Sequence, residues 1–246
     1  MKRPVIIHFH LFKNAGSSLD AILEQNFGSN WGQIESPNLE PLKLESLIGF
    51  IRNNPKINAV STHTALVRVP ELKDLKIIPL CFVRHPLDRI RSAYDFEKTQ
   101  NIKAPSVIQA KQGSFRAYMD WYLASPPAWQ VSNFHAFHFK NFHYPFDTDM
   151  ENVERLAINA VLDMPWLGLV EKFDASVESF ARRIKEYFPD FKTQRVNKNR
   201  TTCASSGLKE NLAMFRSRIG DKTYRELEDL NSIDIKLYEI VKRRFV

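Results

Sequence analysis

The chain has little cysteine, no long hydrophobic run and no long run of basic residues, and each shortage excludes a class of protein. Two cysteines in 246 residues cannot form a disulfide framework, and we expect Cys81, in an apolar stretch, to be a small core residue. No stretch approaches the roughly 20 apolar residues of a membrane-spanning helix. The basic residues cluster only at Lys242-Arg243-Arg244, where we expect a solvated helix end and not a nucleic-acid-binding arm.

The remaining composition is that of a globular protein with an excess of positive charge. Hydrophobic residues make up 43% of the chain, enough for one sizeable core, so we expect a single domain over residues 1–246. A net charge of +7 favours an acidic partner, such as a nucleotide or a sulfated sugar. Lys2-Arg3 precedes an apolar run, but His8, His10 and Lys13 interrupt it, so a signal peptide is not expected.

Strands and helices alternate along most of the chain. We predict strands over 5–12, 57–61, 76–83 and 166–170, and helices from about 19 and over 44–53, 86–98, 149–162, 175–188, 208–219 and 222–245. This order predicts an α/β protein with a central parallel sheet flanked by helices on both faces. Pro79 is awkward in its strand because proline has no N–H for the ladder, so the strand should begin there or contain a bulge.

Residues 99–148 break this rhythm and are rich in proline, aromatic residues and histidine. We predict one helix over 115–123, with irregular structure around it, in an insertion on the acceptor side of a site. Most of its aromatic residues should form a satellite core, although aromatic faces also stack on sugars. His135, His138 and His143 fit no zinc-site spacing, so no metal is expected.

The first strand runs into a turn of small residues that precedes a helix. Backbone N–H groups at a helix N-terminus and the helix dipole form an anion site, most often for phosphate, and Lys13 adds a full positive charge. The turn is a poor nucleoside-triphosphate P-loop, because that motif places lysine directly before its Ser or Thr, whereas Gly16 precedes Ser17 here. A small-residue turn without a ligand is the alternative.

A second stretch supplies a candidate site for another phosphate. Arg84 follows the most apolar strand, at the edge where α/β sheets bind ligands, and Pro86 opens a helix. Ser92 lies about two turns into that helix, on the same face as Arg89. An arginine and a hydroxyl suit a phosphate group. The alternative is that Arg89 and Arg91 are solvated helix charges, which we favour for Arg91.

Together the two stretches resemble the nucleotide-binding motifs of sulfotransferases that use 3′-phosphoadenosine 5′-phosphosulfate (PAPS), in the branch of the Golgi carbohydrate sulfotransferases and their bacterial relatives. The first motif reads His10-Leu11-Phe12-Lys13-Asn14-Ala15-Gly16-Ser17-Ser18, with Phe12 where many relatives have proline. The second reads Arg-x-Pro-x-x-Arg-x-x-Ser-x-Tyr from Arg84 to Tyr94, with every fixed position filled. Two fragments, 168–174 and 196–198, extend the likeness.

The resemblance implies a P-loop NTPase-like three-layer fold and a role for each matching residue. The 5′-phosphosulfate would lie on the backbone amides of Asn14, Ala15, Gly16, Ser17 and Ser18. Lys13 would neutralise the oxygen that bridges phosphorus and sulfur. Arg84 and Ser92 would bind the 3′-phosphate, and Lys198 and Arg200 would close over the nucleotide. No metal is required, because sulfuryl transfer depends on positioning and charge stabilisation.

An acceptor hydroxyl needs a general base, and His63 is the candidate. It follows a short strand, so it should reach the same sheet edge, and relatives with a histidine there use it as the base. A carboxylate is the rival, although no carboxylate has a distinctive context in the sequence. We expect His8 and His10 to be structural.

The sequence thus predicts an enzyme that transfers a sulfuryl group from PAPS to a hydroxyl group, with a carbohydrate or glycoconjugate as acceptor. A nucleotide kinase-like phosphotransferase and a polyanion-binding module without turnover are the alternatives. No nucleic-acid partner is expected. Golgi relatives carry a membrane anchor that is not seen here, so we expect a cytoplasmic, bacterial enzyme. The position sulfated and the oligomeric state are left open.

Overall fold

A parallel sheet forms the centre of the protein, in a computed structural model that describes residues 2–37, 40–124, 128, 130–142, 152–194 and 207–245. Its first four strands are β1 (Arg3–Phe9), β2 (Trp31–Gln33), β3 (Ala59–Thr62) and β4 (Leu75–Leu80). Their spatial order is β2-β3-β1-β4, and every pairing is parallel. Strand β1 registers Ile7 against Val60 on one side and against Pro79 on the other.

Two further strands extend this arrangement beyond β4. After a break at Cys81 the chain continues as β5 (Phe82–Val83), which pairs in parallel with β6 (Gly168–Leu169). The backbone N–H of Gly168 donates to the carbonyl of Cys81 at 2.9 Å, so β6 lies alongside the break. Cys81 is fully buried, which confirms its assignment to the core.

Helices cover both faces of the sheet, as predicted. Their bounds are α1 (Gly16–Phe27), α2 (Leu44–Asn53), α3 (Pro86–Thr99), α4 (Pro105–Gln112), α5 (Phe115–Ala124), α6 (Phe134–Phe139), α7 (Val153–Asp163), α8 (Phe173–Ile184), α9 (Leu208–Ile219), α10 (Asp221–Leu230) and α11 (Ser232–Lys242). Successive side chains of β1 point to opposite faces of the sheet, so the hydrophobic core has two parts. Ile6 packs with α1 and α8 on one face, whereas Val5 and Ile7 pack with α2, α6, α7 and α11 on the other. None of the helices in the described ranges is long and apolar enough to cross a membrane.

The structure corrects three sequence predictions. Strand β2 lies in a stretch that we expected to be a connection, and the predicted final helix divides at Asn231 into α10 and α11. Pro79 neither begins its strand nor marks a bulge. It lies within β4, which is the edge strand of the four-stranded sheet, and an edge strand tolerates a residue that cannot donate to a ladder.

The segment 99–148 is more helical than the sequence predicts. It contains α4, α5 and α6 where we expected one helix. Its apolar residues form a third cluster with α3, α9 and α10, around buried side chains such as Tyr118, Met119 and Phe215. Phe115, Tyr118 and Tyr122 belong to this cluster, whereas Phe134 and Phe139 pack in the main core, so the expected satellite core accounts for only part of the aromatic residues of the segment.

The close packing at β6 predicts opposite effects of alanine at two glycines. A Cβ on Gly168 would lie 2.7 Å from ring atoms of Phe82 and Trp166, whereas a Cβ on Gly49, inside α2, meets nothing within 4 Å. Gly168→Ala should lower the free energy of unfolding by about 1–3 kcal/mol. Gly49→Ala should raise it by about 0.5–1 kcal/mol, because it removes chain entropy from a helix. Urea unfolding measures both, and a neutral Gly168→Ala would contradict this packing.

Candidate active site

The candidate site lies at the edge of the sheet where its parallel strands end. The residue directly after β1 is His10, after β3 is His63 and after β5 is Arg84. Glu35 lies two residues beyond β2, and Glu171 two residues beyond β6. Because carboxyl ends of parallel strands share one edge, the sheet brings five chemically versatile side chains to one side of the molecule.

The turn after β1 has an unusual backbone. Lys13 and Ala15 both adopt the left-handed region, with φ of 62° and 63°, whereas Asn14 between them does not. Such alternation of backbone handedness turns successive N–H groups toward one point and is typical of anion-binding nests. The amides of Asn14 and Ser18 donate to the carbonyls of Leu11 and Ala15 within the turn. The amides of Ala15, Gly16 and Ser17, at the start of α1, have no backbone acceptor in the described chain and are available to a ligand.

The structure joins the two motifs through a hydrogen bond at the mouth of this turn. Arg84 donates from a terminal guanidinium nitrogen to the carbonyl of Lys13 at 3.1 Å. The Lys13 ammonium lies 4.1 Å from the centroid of the Phe96 ring. Burial, with a further contribution from the Arg84 charge, lowers the pKa of Lys13. Lys13 and Arg84 therefore form one positive centre beside the free amides.

Arg84 is more firmly held than the sequence indicated. Asp88, which is buried, accepts from the Nε of Arg84 at 2.7 Å and lies 2.6 Å from another of its guanidinium nitrogens. The same carboxylate accepts from Arg91 at 2.9 Å, and Asp95 also pairs with Arg91. The expectation that Arg91 is a solvated charge is therefore wrong, because it is a half-buried partner of two carboxylates on its own helix.

Two predicted residues that the structure describes, Arg89 and Ser92, stand apart from this centre. Arg89 is fully buried, donates to the side chain and the carbonyl of Gln130 and packs on Phe134, so it binds the 99–148 segment and not a phosphate. Ser92 is half-buried on α3, and no contact in the described chain joins it to Arg84 or to the turn. Lys198 and Arg200 lie outside the described residues.

One carboxylate from α1 holds two histidines, His8 within β1 and His10 directly after it. Asp20 accepts from the Nδ1 of His8 at 2.8 Å and from the Nδ1 of His10 at 2.9 Å. Burial opposes the ionised form of Asp20, but the hydrogen bonds from His10, His8 and Ser61 outweigh it and hold the pKa of this carboxyl far below its usual range. Burial lowers the pKa of His8, whose ring is almost inaccessible. His8 is therefore a satisfied structural histidine, as expected.

The same trio has the composition of a metal site, since the ligand atoms of His8, His10 and Asp20 lie within 4.8 Å of one another. The rings of His8 and His10 are stacked, however, with an interplanar angle of 22°. Lone pairs in nearly parallel ring planes do not converge, and Asp20 already occupies both Nδ1 atoms. The geometry thus favours a hydrogen-bonded cluster over a metal centre.

His63 carries the arrangement expected of an oriented base. Its Nδ1 lies 2.7 Å from Glu35, and the same carboxylate accepts the backbone N–H of His63 and both the N–H and the hydroxyl of Thr64. Burial would raise the pKa of Glu35, but these bonds outweigh it and lower the pKa. With its hydrogen on Nδ1, the half-exposed ring keeps a free lone pair on Nε2.

A stack of rings brings His63 beside the turn. The ring of His10 stacks on that of His63 with 3.9 Å between centroids. His10 also covers Gly16 so closely that a Cβ there would lie 1.9 Å from the His10 ring. The ring of His10 therefore lies between His63 and the turn that carries the free amides. Gly16 leaves room for this ring as well as for a ligand.

Sequence reasoning missed the three carboxylates that organise these side chains: Asp20, Glu35 and Asp88. Asp20 carried a signal, since it lies between the buried residues Leu19 and Ala21 on a helix that faces the sheet. No sequence signal identified Glu35, because its position at the sheet edge depends on β2, which the sequence does not predict.

Comparison with known proteins agrees with this geometry. Residues 1–240 match the model of a family described as the sulfotransferase family. The chain is also 36% identical over 249 residues to an uncharacterized protein of the archaeon Archaeoglobus fulgidus, and the match covers 98% of this chain and 97% of the relative. The chain therefore belongs to the sulfotransferase family, whose members transfer sulfuryl groups to hydroxyl acceptors and generally use PAPS as the donor.

Gly16→Ala tests the ring stack directly. The new methyl group must displace His10, so the side-chain NMR signals of His10 and His63 should shift and the free energy of unfolding should fall by about 1–3 kcal/mol. Gly207→Ala is the control, because a Cβ there meets nothing in the described part of the chain within 4 Å. Unchanged histidine signals in folded Gly16→Ala would show that the stack is absent in solution.

Proposed function

We propose that this protein transfers a sulfuryl group from PAPS to a hydroxyl group of a carbohydrate. The observation that carries the proposal is the hydrogen bond between Arg84 and the Lys13 carbonyl, because it joins the two stretches that resemble the nucleotide motifs of the family. A ligand with phosphates at two ends suits this site, with one end on the free amides and the other on Arg84.

The geometry and the motif match support the following roles in donor binding. The amides of Ala15, Gly16 and Ser17 would hold the 5′-phosphosulfate, with those of Asn14 and Ser18 completing the turn. Arg84 retains N–H groups for the 3′-phosphate, although Asp88 offsets part of its charge, and Ser92 would add its hydroxyl. Lys198 and Arg200 are assigned to the nucleotide on the resemblance alone.

The chemical step needs a base and a cation on opposite sides of the sulfur. Nε2 of His63 takes the proton of the acceptor hydroxyl while the new O–S bond forms and the bond from sulfur to the bridging oxygen breaks. Lys13 stabilises the negative charge that develops on the leaving phosphate, and 3′-phosphoadenosine 5′-phosphate departs. Glu35 holds the tautomer of His63 and stabilises the imidazolium that results.

An exposed aromatic ring supports a carbohydrate as acceptor. Phe96 is 38% exposed although it is a large hydrophobic residue, and its ring lies against Lys13. An acceptor hydroxyl must come close to the sulfur that Lys13 faces, so its carrier would lie within reach of this ring. Aromatic faces stack well on the apolar face of a sugar.

Thermal shift with three ligands tests the proposal. We expect 3′-phosphoadenosine 5′-phosphate to raise the melting temperature, because a ligand present at 100 times its Kd stabilises the folded state by about 2.7 kcal/mol. A shift with ATP and magnesium but not with this nucleotide would favour a phosphotransferase. A shift with heparin alone would favour a polyanion-binding module. No shift with the nucleotide at millimolar concentration would contradict the proposal.

Substitutions of His63 and Glu35 should impair the chemical step without impairing donor binding. His63→Ala should lower kcat about 100-fold or more, measured with labelled donor and an oligosaccharide panel, and leave the donor affinity unchanged. Glu35→Gln keeps the shape but removes the charge, so it should lower kcat at least about tenfold. Glu45→Gln, on the exposed side of α2, is the matched control. A fully active His63→Ala enzyme would shift the base to a carboxylate.

A further inference from the structure

A buried chain of three side chains joins the turn to two distant helices. The Nε2 of His135 on α6 lies 2.9 Å from the side-chain oxygen of Asn14, and its Nδ1 lies 3.0 Å from Asp234 on α11. Exposure is 2% for Asn14 and 0% for His135 and Asp234. Water cannot replace these bonds at such burial, so each group depends on its partner.

The direction of each hydrogen bond follows from its neighbours. Asn14 donates from Nδ2 to the carbonyl of Phe12 at 3.0 Å, which leaves its Oδ1 facing His135. Burial would raise the pKa of Asp234, but the His135 charge and hydrogen bonds from His135 and Ala136 outweigh it and lower the pKa. The Nε2 of His135 therefore donates to the side-chain oxygen of Asn14, and its Nδ1 faces the carboxylate of Asp234.

Asn14 lies where the backbone of the turn is strained. Its neighbours Lys13 and Ala15 adopt left-handed conformations that cost non-glycine residues about 1–3 kcal/mol each. Such conformations persist only when the surroundings impose them. Three hydrogen bonds restrain Asn14 in the described chain. Its backbone N–H donates to the carbonyl of Leu11 and its side chain donates to the carbonyl of Phe12, both within the turn. The third, with His135, is the only one of these that comes from outside the turn.

We propose that His135 is a positioning residue for the donor site, because it holds Asn14 and thereby keeps the amides of Ala15, Gly16 and Ser17 converged before the donor binds. This inference rests on the proposed function for the identity of the ligand. It makes donor affinity depend on α6, in the segment that we assigned to the acceptor side.

Two substitutions of His135 each remove one of its two side-chain hydrogen bonds and keep the other. The amide nitrogen of Gln occupies about the position of Nε2, so His135→Gln keeps a donor toward Asn14 and loses the one toward Asp234. The amide nitrogen of Asn matches Nδ1, so His135→Asn keeps the bond to Asp234 and loses the one to Asn14. Both variants should lose stability, whereas only His135→Asn should release the turn.

Calorimetric titration with 3′-phosphoadenosine 5′-phosphate reads out the difference. We expect about tenfold weaker binding for His135→Asn and binding within about threefold of wild type for His135→Gln, since a lost buried hydrogen bond is worth about one factor of ten or more. Equal losses in both variants, or none in either, would overturn the proposal. If His135→Asn does not fold, Asn14→Ala removes the same bond from the other side, and affinity within threefold of wild type overturns the proposal.

Backbone hydrogen exchange separates this inference from the proposed function. The amides of Asn14 and Ser18 should exchange faster in His135→Asn than in His135→Gln, whether or not the nucleotide binds. A wild-type protein that does not bind the nucleotide contradicts the proposed function, while the exchange pattern still decides the role of His135. Equal exchange in the two variants would show that His135 only packs.

Discussion

The parallel pairing of every described strand is the constraint on which the site depends. It delivers the residue after each strand to one edge, so that residues remote in the chain meet without a dedicated binding loop. The turn adds backbone amides at that edge, and α1 adds its dipole. We propose that Lys13 supplies the cation and His63 the base that sulfuryl transfer needs beside these amides.

Carboxylates hold the histidines and Arg84 of this edge in place. Asp20 holds two histidines, Glu35 holds His63, and Asp88 holds Arg84. Each pairing fixes a ring or a guanidinium in one orientation, so little reorganisation is needed when a charged donor arrives. Asp234 orients His135 in the same way, and His135 in turn contacts Asn14 in the turn.

The sequence predicted the scaffold and the turn between β1 and α1 because both rest on local patterns. Helix α2 begins and ends at the predicted residues, and apolar runs revealed most of the strands. Strand β2 was not predicted because Trp31-Gly32-Gln33 is short and not an apolar run. Without β2, nothing placed Glu35 at the edge of the sheet. The role of Arg89 also escaped, since a buried arginine is recognised only from distant partners such as Gln130.

We propose that the turn between β1 and α1 holds the phosphosulfate end of the donor. Titration with 3′-phosphoadenosine 5′-phosphate, followed by NMR of the backbone amides, is the decisive measurement. We expect the amide signals of Ala15, Gly16 and Ser17 to shift most, at the concentration at which the nucleotide binds. Binding that leaves these three signals in place while amides elsewhere shift would exclude this turn as the donor site.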